Sequence, residues 1–324
     1  MMALFCRAGR RLASPRLTLV GMVLMAGGAG LNYGNPTSTS VWALVAPLAF
    51  LAINLLAAIL FKPRINRRGG LLLFHIGLLS IVILAAIGRL TLYEGHVEML
   101  SGEPFTVASV IDPRQGPWHR GELAAVQFVQ GPYTVDYASQ LKRGQTRSQV
   151  AIPDGRGGWT EQVVGDDTPL VINGYRFYTS FNKGFAPLLT WTPEGGEPVT
   201  GAVNMPSYPL FEYKQDNRWT PPGSDEIKLW LRLDTGYTLD APWQLDGRNA
   251  KGVLVVNSGE QRLELQPGDE VELSGGRLRY ESLNSWMGYK IFYDPTLKWL
   301  FVAAMLAVVG LARHYWSKFD EQPL

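Results

Sequence analysis

Four long apolar blocks constrain this chain of 324 residues more than any other feature of its sequence. They cover residues 17–31, 41–61, 71–92 and 296–316. A helix needs about 20 consecutive apolar residues to cross a bilayer, and the last three blocks reach that length. The first block is shorter and rich in glycine, so a cleavable signal peptide is its alternative interpretation. The sequence therefore predicts an integral membrane protein with four transmembrane α-helices embedded in a lipid bilayer.

Basic residues alternate with these blocks and predict their direction across the membrane. Four arginines precede the first block, the loop of residues 33–40 carries no charge, and four more basic residues lie within residues 62–68. Cytoplasmic loops of membrane proteins are enriched in lysine and arginine. We therefore expect both termini on the cytoplasmic side of a bacterial inner membrane, with residues 93–293 in the periplasm.

The long segment between the third and fourth blocks has the pattern of β-strands. Short runs of alternating apolar and polar residues, among them residues 123–129, are separated by turn clusters such as Pro-Asp-Gly at 153–155. Regularly spaced runs of this kind are typical of all-β sandwiches. We predict three regions: an N-terminal membrane region over residues 1–92, an extracytoplasmic, sandwich-like all-β domain over 93–293, and the fourth helix with a cytoplasmic tail over 294–324.

The composition of the chain excludes several classes of function. Its 30 Lys and Arg nearly balance its 28 Asp and Glu, whereas proteins that bind nucleic acid carry a strong basic excess. The single cysteine, Cys6, excludes an internal disulfide, a Cys-x-x-Cys redox site, a cysteine-based zinc site and covalent attachment of a c-type haem to this chain. Motifs of hydrolases, zinc proteases and nucleotide-binding loops are absent. We predict no nucleic-acid partner and no catalytic residue.

Histidine is the residue type that best marks a site, and the sequence has only four. His75 lies inside the third block, seven residues after Arg68, which is about 10 Å along a helix. Ionisable side chains inside a membrane span are costly and face a bundle interior or a cavity. Three roles for His75 stay open: a packing hydrogen bond, an axial ligand of haem iron, and a proton relay.

The other histidines lie at or beyond the ends of the blocks. His96 follows the third block, where it is either a solvated interfacial side chain or a second candidate haem ligand. His119 lies in a loop that contains Gly, Pro and Trp, and we expect it to be exposed. His314 stands among aromatic residues and is expected in the interfacial belt of the fourth helix.

Three segments resemble the ResB/CcsB family of cytochrome c biogenesis proteins. They are RRGGLLLFHIGLL at residues 67–79, PLVINGYRFYTSFNKG at 169–184 and WMGYKIFYDP at 286–295. The order of three spans, a large external β domain and a closing span is similar to that family over nearly the whole chain. The external region is shorter than in many of its members.

This resemblance implies a subunit of a System II cytochrome c maturation complex. In that family a CcsA/ResC-like polytopic membrane protein is the partner, and the pair exports haem b and presents it to apocytochrome c for covalent attachment. The haem is bound transiently and shared with the partner. The family's histidine on the third span is proposed to ligate haem, and His75 matches its position.

The resemblance also bears on what the chain does alone. The partner's tryptophan-rich signature, W-G-x-x-W-x-W-D, is absent, so we expect a separate partner and a subunit of a cytochrome c synthetase that is not catalytic by itself. The alternative function is a membrane-anchored β-domain that serves as a scaffold or sensor without a haem role. A small transporter is a third hypothesis, which four spans without inverted repeats disfavour. The sequence leaves open which cytochromes c are matured and which group supplies the second axial ligand.

Overall fold

The protein is represented by a computed structural model that describes residues 7, 9–35, 38–259 and 261–320. Cys6 lies outside these residues, so the structure says nothing about the predictions that concern it. The chain divides into two compact units. The helical unit comprises residues 1–94, 114–121 and 293–324, and the β unit comprises residues 95–113 and 122–292.

In the described part of the chain, four helices are long and apolar enough to cross a membrane. They are α1 (Pro15–Gly34), α2 (Trp42–Phe61), α3 (Gly69–Thr91) and α4 (Leu297–Asp320). The first begins where its sequence predicts, because the Ser14 side chain accepts a hydrogen bond from the Arg16 amide at 3.3 Å and Pro15 fills the first turn.

Small residues allow α3 and α4 to pack with their backbones in contact. A Cβ atom added at Gly77 would lie 2.6 Å from the Ala307 nitrogen, and one added at Gly310 would collide with the Phe74 nitrogen. Packing through small residues is the usual way for membrane helices to approach closely, since lipid supplies no hydrophobic force between them. The glycines of the third and fourth apolar blocks therefore serve helix association.

The β unit is built from antiparallel strands arranged in three sheets. One has seven strands in the order β2-β1-β15-β7-β6, with β14 paired to β15 and β8 to β7; the others have the orders β13-β12-β10-β9 and β11-β3-β4-β5. The strands are β1 (Tyr93–Leu100), β2 (Val110–Gln115), β3 (Val129–Ala138), β4 (Lys142–Pro153), β5 (Trp159–Gly165), β6 (Leu170–Ile172), β7 (Tyr175–Pro193), β8 (Val199–Ala202), β9 (Asp216–Trp219), β10 (Ile227–Asp234), β11 (Trp243–Asp246), β12 (Lys251–Ser258), β13 (Gln261–Leu265), β14 (Glu270–Leu273) and β15 (Gly276–Tyr293). The predicted fold class, four transmembrane helices with a large all-β region between the third and fourth, is confirmed.

The core of the β unit follows from the alternation of its strands. On β4, Thr146, Ser148 and Val150 point inward and are buried, while the intervening residues face out. Aromatic rings fill the space behind the sheets: Phe128 stacks on Phe105 with ring centroids 5.3 Å apart and meets Phe177 edge-on at 5.1 Å. Paired aromatic rings of this kind add to the stability that burial alone gives.

The prediction of a strand over residues 123–129 is wrong for its first part. Leu123–Ala125 forms one turn of 3-10 helix, and β3 begins only at Val129. The apolar side chains at positions 123, 126 and 128 are all buried. That spacing does not fit the two-residue period of a strand, so the segment enters the core as a turn followed by irregular backbone.

Candidate functional site

A cavity of about 790 Å³ lies within the helical unit, among α1, α2, α3 and the short helical turn Pro63–Asn66 that joins α2 to α3. Its volume falls in the range of about 300–1,000 Å³ that is common for small-molecule and cofactor pockets. Most of its wall is apolar. The lining residues are Ala13, Pro15, Thr18, Met22, Leu51, Asn54, Leu55, Ala58, Lys62, Arg64, Ile65, Leu71, His75, Leu78 and Val82.

His75 reaches this cavity because of its place on one face of α3. Leu71, His75, Leu78 and Val82 all line the wall, at spacings of four, seven and eleven residues from the first. At about 100° per residue these positions fall within one narrow stripe of a helix. Leu72 and Leu79 are also three or four residues from His75, a spacing that predicts the same helical face. They are not among the lining residues.

A backbone hydrogen bond fixes the orientation of the His75 ring. Its Nδ1 lies 2.8 Å from the carbonyl oxygen of Leu71, one turn earlier on α3. A carbonyl oxygen can only accept, so Nδ1 carries the proton, and a neutral ring then keeps its lone pair on Nε2. Metal-ligating histidines are commonly held by such a bond from the opposite nitrogen. His75 can therefore coordinate a metal centre or accept a proton.

Besides His75, two uncharged polar side chains line the cavity, Thr18 and Asn54. Sequence analysis did not identify them as site residues. Thr18 donates its hydroxyl proton to Asn54 Oδ1 at 2.7 Å, and Asn54 Nδ2 donates to the carbonyl oxygens of Leu12 and Ser14. Asn54 is 5% exposed and lies inside an apolar span, where an amide is tolerated only when its hydrogen bonds are satisfied. An asparagine within the second apolar block was the signal that could have identified it.

Two cations complete the lining. Lys62, half-buried at the end of α2, and Arg64, exposed in the following turn, both line the cavity. In the part of the chain that the structure describes, no aspartate or glutamate lines it and neither cation forms an ion pair. Sequence reasoning used these residues only as indicators of membrane orientation. The cavity therefore combines an apolar wall, one imidazole and two unpaired positive charges.

The structure does not bring the second candidate, His96, to this site. His96 is an exposed residue of β1 in the β unit and is not among the residues that line the cavity. His119 is half-buried rather than exposed as expected: its Nδ1 donates to the Thr91 carbonyl oxygen at 2.9 Å, and its ring packs against Tyr93 and Tyr293. Within the described ranges, no three His, Cys, Asp or Glu residues group together to hold a metal ion.

Four apolar helices, an all-β unit between the third and fourth in sequence, and a cavity lined by His75 define the class: a multi-spanning membrane protein whose helical unit contains a cavity of cofactor size. The chain belongs to the ResB-like family, whose model matches residues 64–318. All three segments that resembled this family lie inside the match, so the family predicted from the sequence is confirmed.

Curated relatives are similar at low identity and are longer than this chain. "Cytochrome c biogenesis protein CcsB" of Synechococcus elongatus is 24% identical over 255 residues, which cover 77% of this chain and 51% of the relative. The CcsB protein of Trichormus variabilis is 22% identical over 311 residues, which cover 88% and 62%. The chain thus spans about half to three-fifths of the length of these relatives.

A solved structure was also matched, "Cytochrome c Heme Lyase CcmF". It has 12% sequence identity and a TM-score of 0.29, over 94% of this chain and 35% of that one. A score at that level carries no argument about the fold.

Proposed function

We propose that this chain is a haem-handling subunit of a cytochrome c maturation complex. The observation that carries the proposal is the imidazole of His75, held by Leu71 with its Nε2 left for a ligand, inside an apolar cavity. The relatives' name, which refers to cytochrome c biogenesis, supports the same function. Haem is then the cargo of the protein, a flat apolar molecule whose iron accepts an imidazole lone pair.

The cavity residues fit that cargo in complementary ways. Leu71, Leu78 and Val82 offer an apolar wall against which a macrocycle can pack, on the same stripe of α3 as the candidate ligand. The bond from His75 Nδ1 to Leu71 restricts rotation of the ring. The hydrogen bonds of Asn54 hold the start of α1 against α2 and so maintain the opposite wall.

The remaining parts of the function involve partners. We propose that haem b is bound transiently, that a CcsA/ResC-like polytopic membrane protein shares it, and that apocytochrome c receives it. The chain would then act as part of a cytochrome c synthetase without catalysing attachment alone. His96 stays a weaker candidate for contact with haem, because it is exposed on β1 and available to a partner.

The direction of export requires a defined topology. We propose a bacterial inner-membrane protein with both termini in the cytoplasm and a periplasmic β domain over residues 93–293, between membrane regions 1–92 and 294–324. The alternation of basic and uncharged loops supports this orientation. A reporter that is active only outside the cytoplasm should be active when inserted at Gly195, a turn between β7 and β8, and silent after Leu324. Activity after Leu324 would contradict the topology.

Substitution of the candidate ligand tests the function. His75→Ala should lower the haem retained by the purified complex by about tenfold or more, because loss of outer-shell partners alone weakens metal sites by about 10–100-fold. Yield of cytochrome c should fall in parallel, while the protein still accumulates, since removing a polar group from a span does not oppose insertion. Added imidazole should restore part of the haem.

The matched control is His314→Ala, which removes a histidine from α4 that does not line the cavity. Haem content should stay at the wild-type level in that variant. Wild-type haem and cytochrome c in His75→Ala would show that the ligand role is wrong. The scaffold or sensor function would then be the better account of the chain.

A further inference from the structure

The cavity is polarised, with cations on the connection between α2 and α3 and the imidazole farther along α3. Lys62 directly follows α2, Arg64 lies in the next turn, and His75 is six residues after the start of α3 at Gly69. Six residues of helix rise about 9 Å. The side chains between them that line the cavity, Ile65 and Leu71, are apolar.

The two positive charges have no counter-charge within the described residues. Among the residues that the structure describes, no carboxylate lines the cavity, and Lys62 and Arg64 form no ion pair. Lys62 is half-buried, and a cation that is partly removed from water without a partner is destabilising. An anionic group on the ligand would compensate for that loss of solvation. The cavity therefore favours a molecule with an apolar body and a negative edge.

We propose that Lys62 and Arg64 form a subsite that recognises the carboxylates of a porphyrin and so sets the orientation in which the cargo enters. This inference rests on the proposed function. A porphyrin dicarboxylate carries both carboxylates on one edge, away from its central metal. Its anionic edge at the cations and its centre toward His75 match the order of groups along the cavity. Arginine and lysine are also the side chains that form the strongest hydrogen bonds to carboxylates.

The subsite uses two of the four basic residues in the connection between α2 and α3. Lys62 lies just before the family match, and Arg64 is its first residue. Arg67 and Arg68 belong to the same basic loop and do not line the cavity. If the loop served only membrane orientation, all four residues would be equivalent. The structure distinguishes the two that line the cavity.

An anionic phospholipid has the same chemistry, with a phosphate at its edge and an apolar body. The experiment therefore separates the two sources. The full chain is placed in phosphatidylcholine nanodiscs and titrated with haem, with metal-free protoporphyrin and with the dimethyl ester of each. The wild type should bind the diacids at least about tenfold more tightly than the diester, because two charge-assisted contacts are lost with esterification. Addition of phosphatidylglycerol to the nanodiscs should leave this preference in place.

Two double variants locate the preference. Lys62→Gln/Arg64→Gln should abolish the discrimination between diacid and diester yet keep the spectrum of imidazole-ligated haem. Arg67→Gln/Arg68→Gln removes the same charge from the same loop and should behave as the wild type. A preference that survives the first pair, or falls equally in both pairs, overturns the subsite. Loss of the preference in phosphatidylglycerol would assign the cations to lipid phosphate and would also overturn it.

His75→Ala separates this inference from the function on which it rests. In that variant the imidazole–iron spectrum should vanish, while metal-free protoporphyrin should still be preferred over its diester. A wild type without the imidazole–iron spectrum but with the diacid preference would defeat the haem-ligand function and leave the subsite standing. The reverse pattern would defeat the subsite alone, and binding of neither porphyrin would count against both.

Discussion

His75 in the helical unit and a buried side-chain network in the β unit use their polar atoms in opposite ways. In the β unit, the Tyr289 hydroxyl donates to Gln130 Oε1 at 2.6 Å and lies 2.6 Å from Ser148 Oγ. Gln130 Nε2 in turn donates to Ser148 Oγ at 2.9 Å. This network is closed, and all three side chains are buried. In the helical unit, His75 uses one ring nitrogen internally and presents a cavity with the other. A network whose polar atoms hydrogen-bond to one another specifies a core. A ring nitrogen whose lone pair faces a cavity marks a candidate site instead.

The units also differ in what fills them. Large side chains such as Trp191, Tyr175 and Tyr280 are fully buried in the β unit. The contact of α3 with α4 depends instead on missing side chains at Gly77 and Gly310. Added volume at Gly77 or Gly310 should therefore be poorly tolerated, because it would meet backbone rather than a movable side chain.

The largest expected effect comes from filling that contact. Gly310→Val places a branched side chain against the backbone of Phe74, so α3 and α4 must separate. Overpacking costs about 1–3 kcal/mol even where side chains can move, and a backbone obstacle should bring the loss to about 3 kcal/mol or more. The midpoint of thermal unfolding in detergent should fall sharply, or the protein should fail to accumulate.

A glycine in open surroundings provides the control. Gly27 on α1 has no atom within 4 Å of an added Cβ, so Gly27→Val should leave the unfolding midpoint nearly unchanged. Equal losses in the two variants would mean that any bulk in a glycine-containing span is harmful. The contrast between a tightly packed α3–α4 contact and an open α1 face would then fail.

Sequence alone predicted the features that depend on local pattern. Block length gave the four spans, since hydropathy is read along the chain without knowing its partners. His75 stood out because it is an ionisable group in an apolar block. The cavity itself depends on how three helices are rotated about their axes, which no local pattern states. Thr18, Asn54 and Lys62 were therefore missed as lining residues.

Tertiary packing also decides which face of a helix or strand is buried, and local spacing cannot predict it. Leu72 and Leu79 are three and four residues from His75, as helical neighbours are. That spacing does not say on which flank of His75 a neighbour lies. Only packing against α1 and α2 decides which side meets the cavity. In the β unit, apolar and polar residues alternate over only part of residues 123–129. The side chains at 123, 126 and 128 are all buried, and this spacing requires a turn at the start of the segment instead of a strand.

The β unit contains one charged group that departs from its closed networks. Lys183 on β7 is 1% exposed, and its Nζ donates to the Phe181 carbonyl oxygen at 3.3 Å and lies 5.6 Å from the ring centroid of Tyr137. Burial lowers the pKa of Lys183 from 10.5 to about 8, and Arg143 adds to the shift while Asp166 opposes it. A carbonyl and a ring are weak compensation for a buried ammonium group.

The lowered pKa of Lys183 predicts that the free energy of unfolding rises with pH, by less than the loss expected from Gly310→Val. Lys183 loses its proton near pH 8 in the folded protein and near 10.5 when unfolded. Between these values the unfolded chain binds more protons, so stability rises with pH, by up to about 3 kcal/mol in total. Burial also raises the pKa values of several tyrosines, among them Tyr137 and Tyr208 to about 12. The unfolded chain ionises these tyrosines as the pH approaches 10, so their contribution lowers stability where that of Lys183 raises it. A comparison with a variant that lacks the lysine therefore isolates its contribution.

Urea unfolding of the full chain in detergent, followed by tryptophan fluorescence, measures this gain. Lys183→Met keeps the apolar length of the side chain and removes the charge, so only the tyrosine contribution remains in the variant. The stability of the wild type relative to Lys183→Met should increase by about 2 kcal/mol from pH 7.5 to pH 9.5, because roughly 1.4 kcal/mol accompanies each unit in which only the unfolded state holds the proton. An equal slope in both proteins would assign the pH dependence to another group and would place Lys183 in a solvated or fully paired environment.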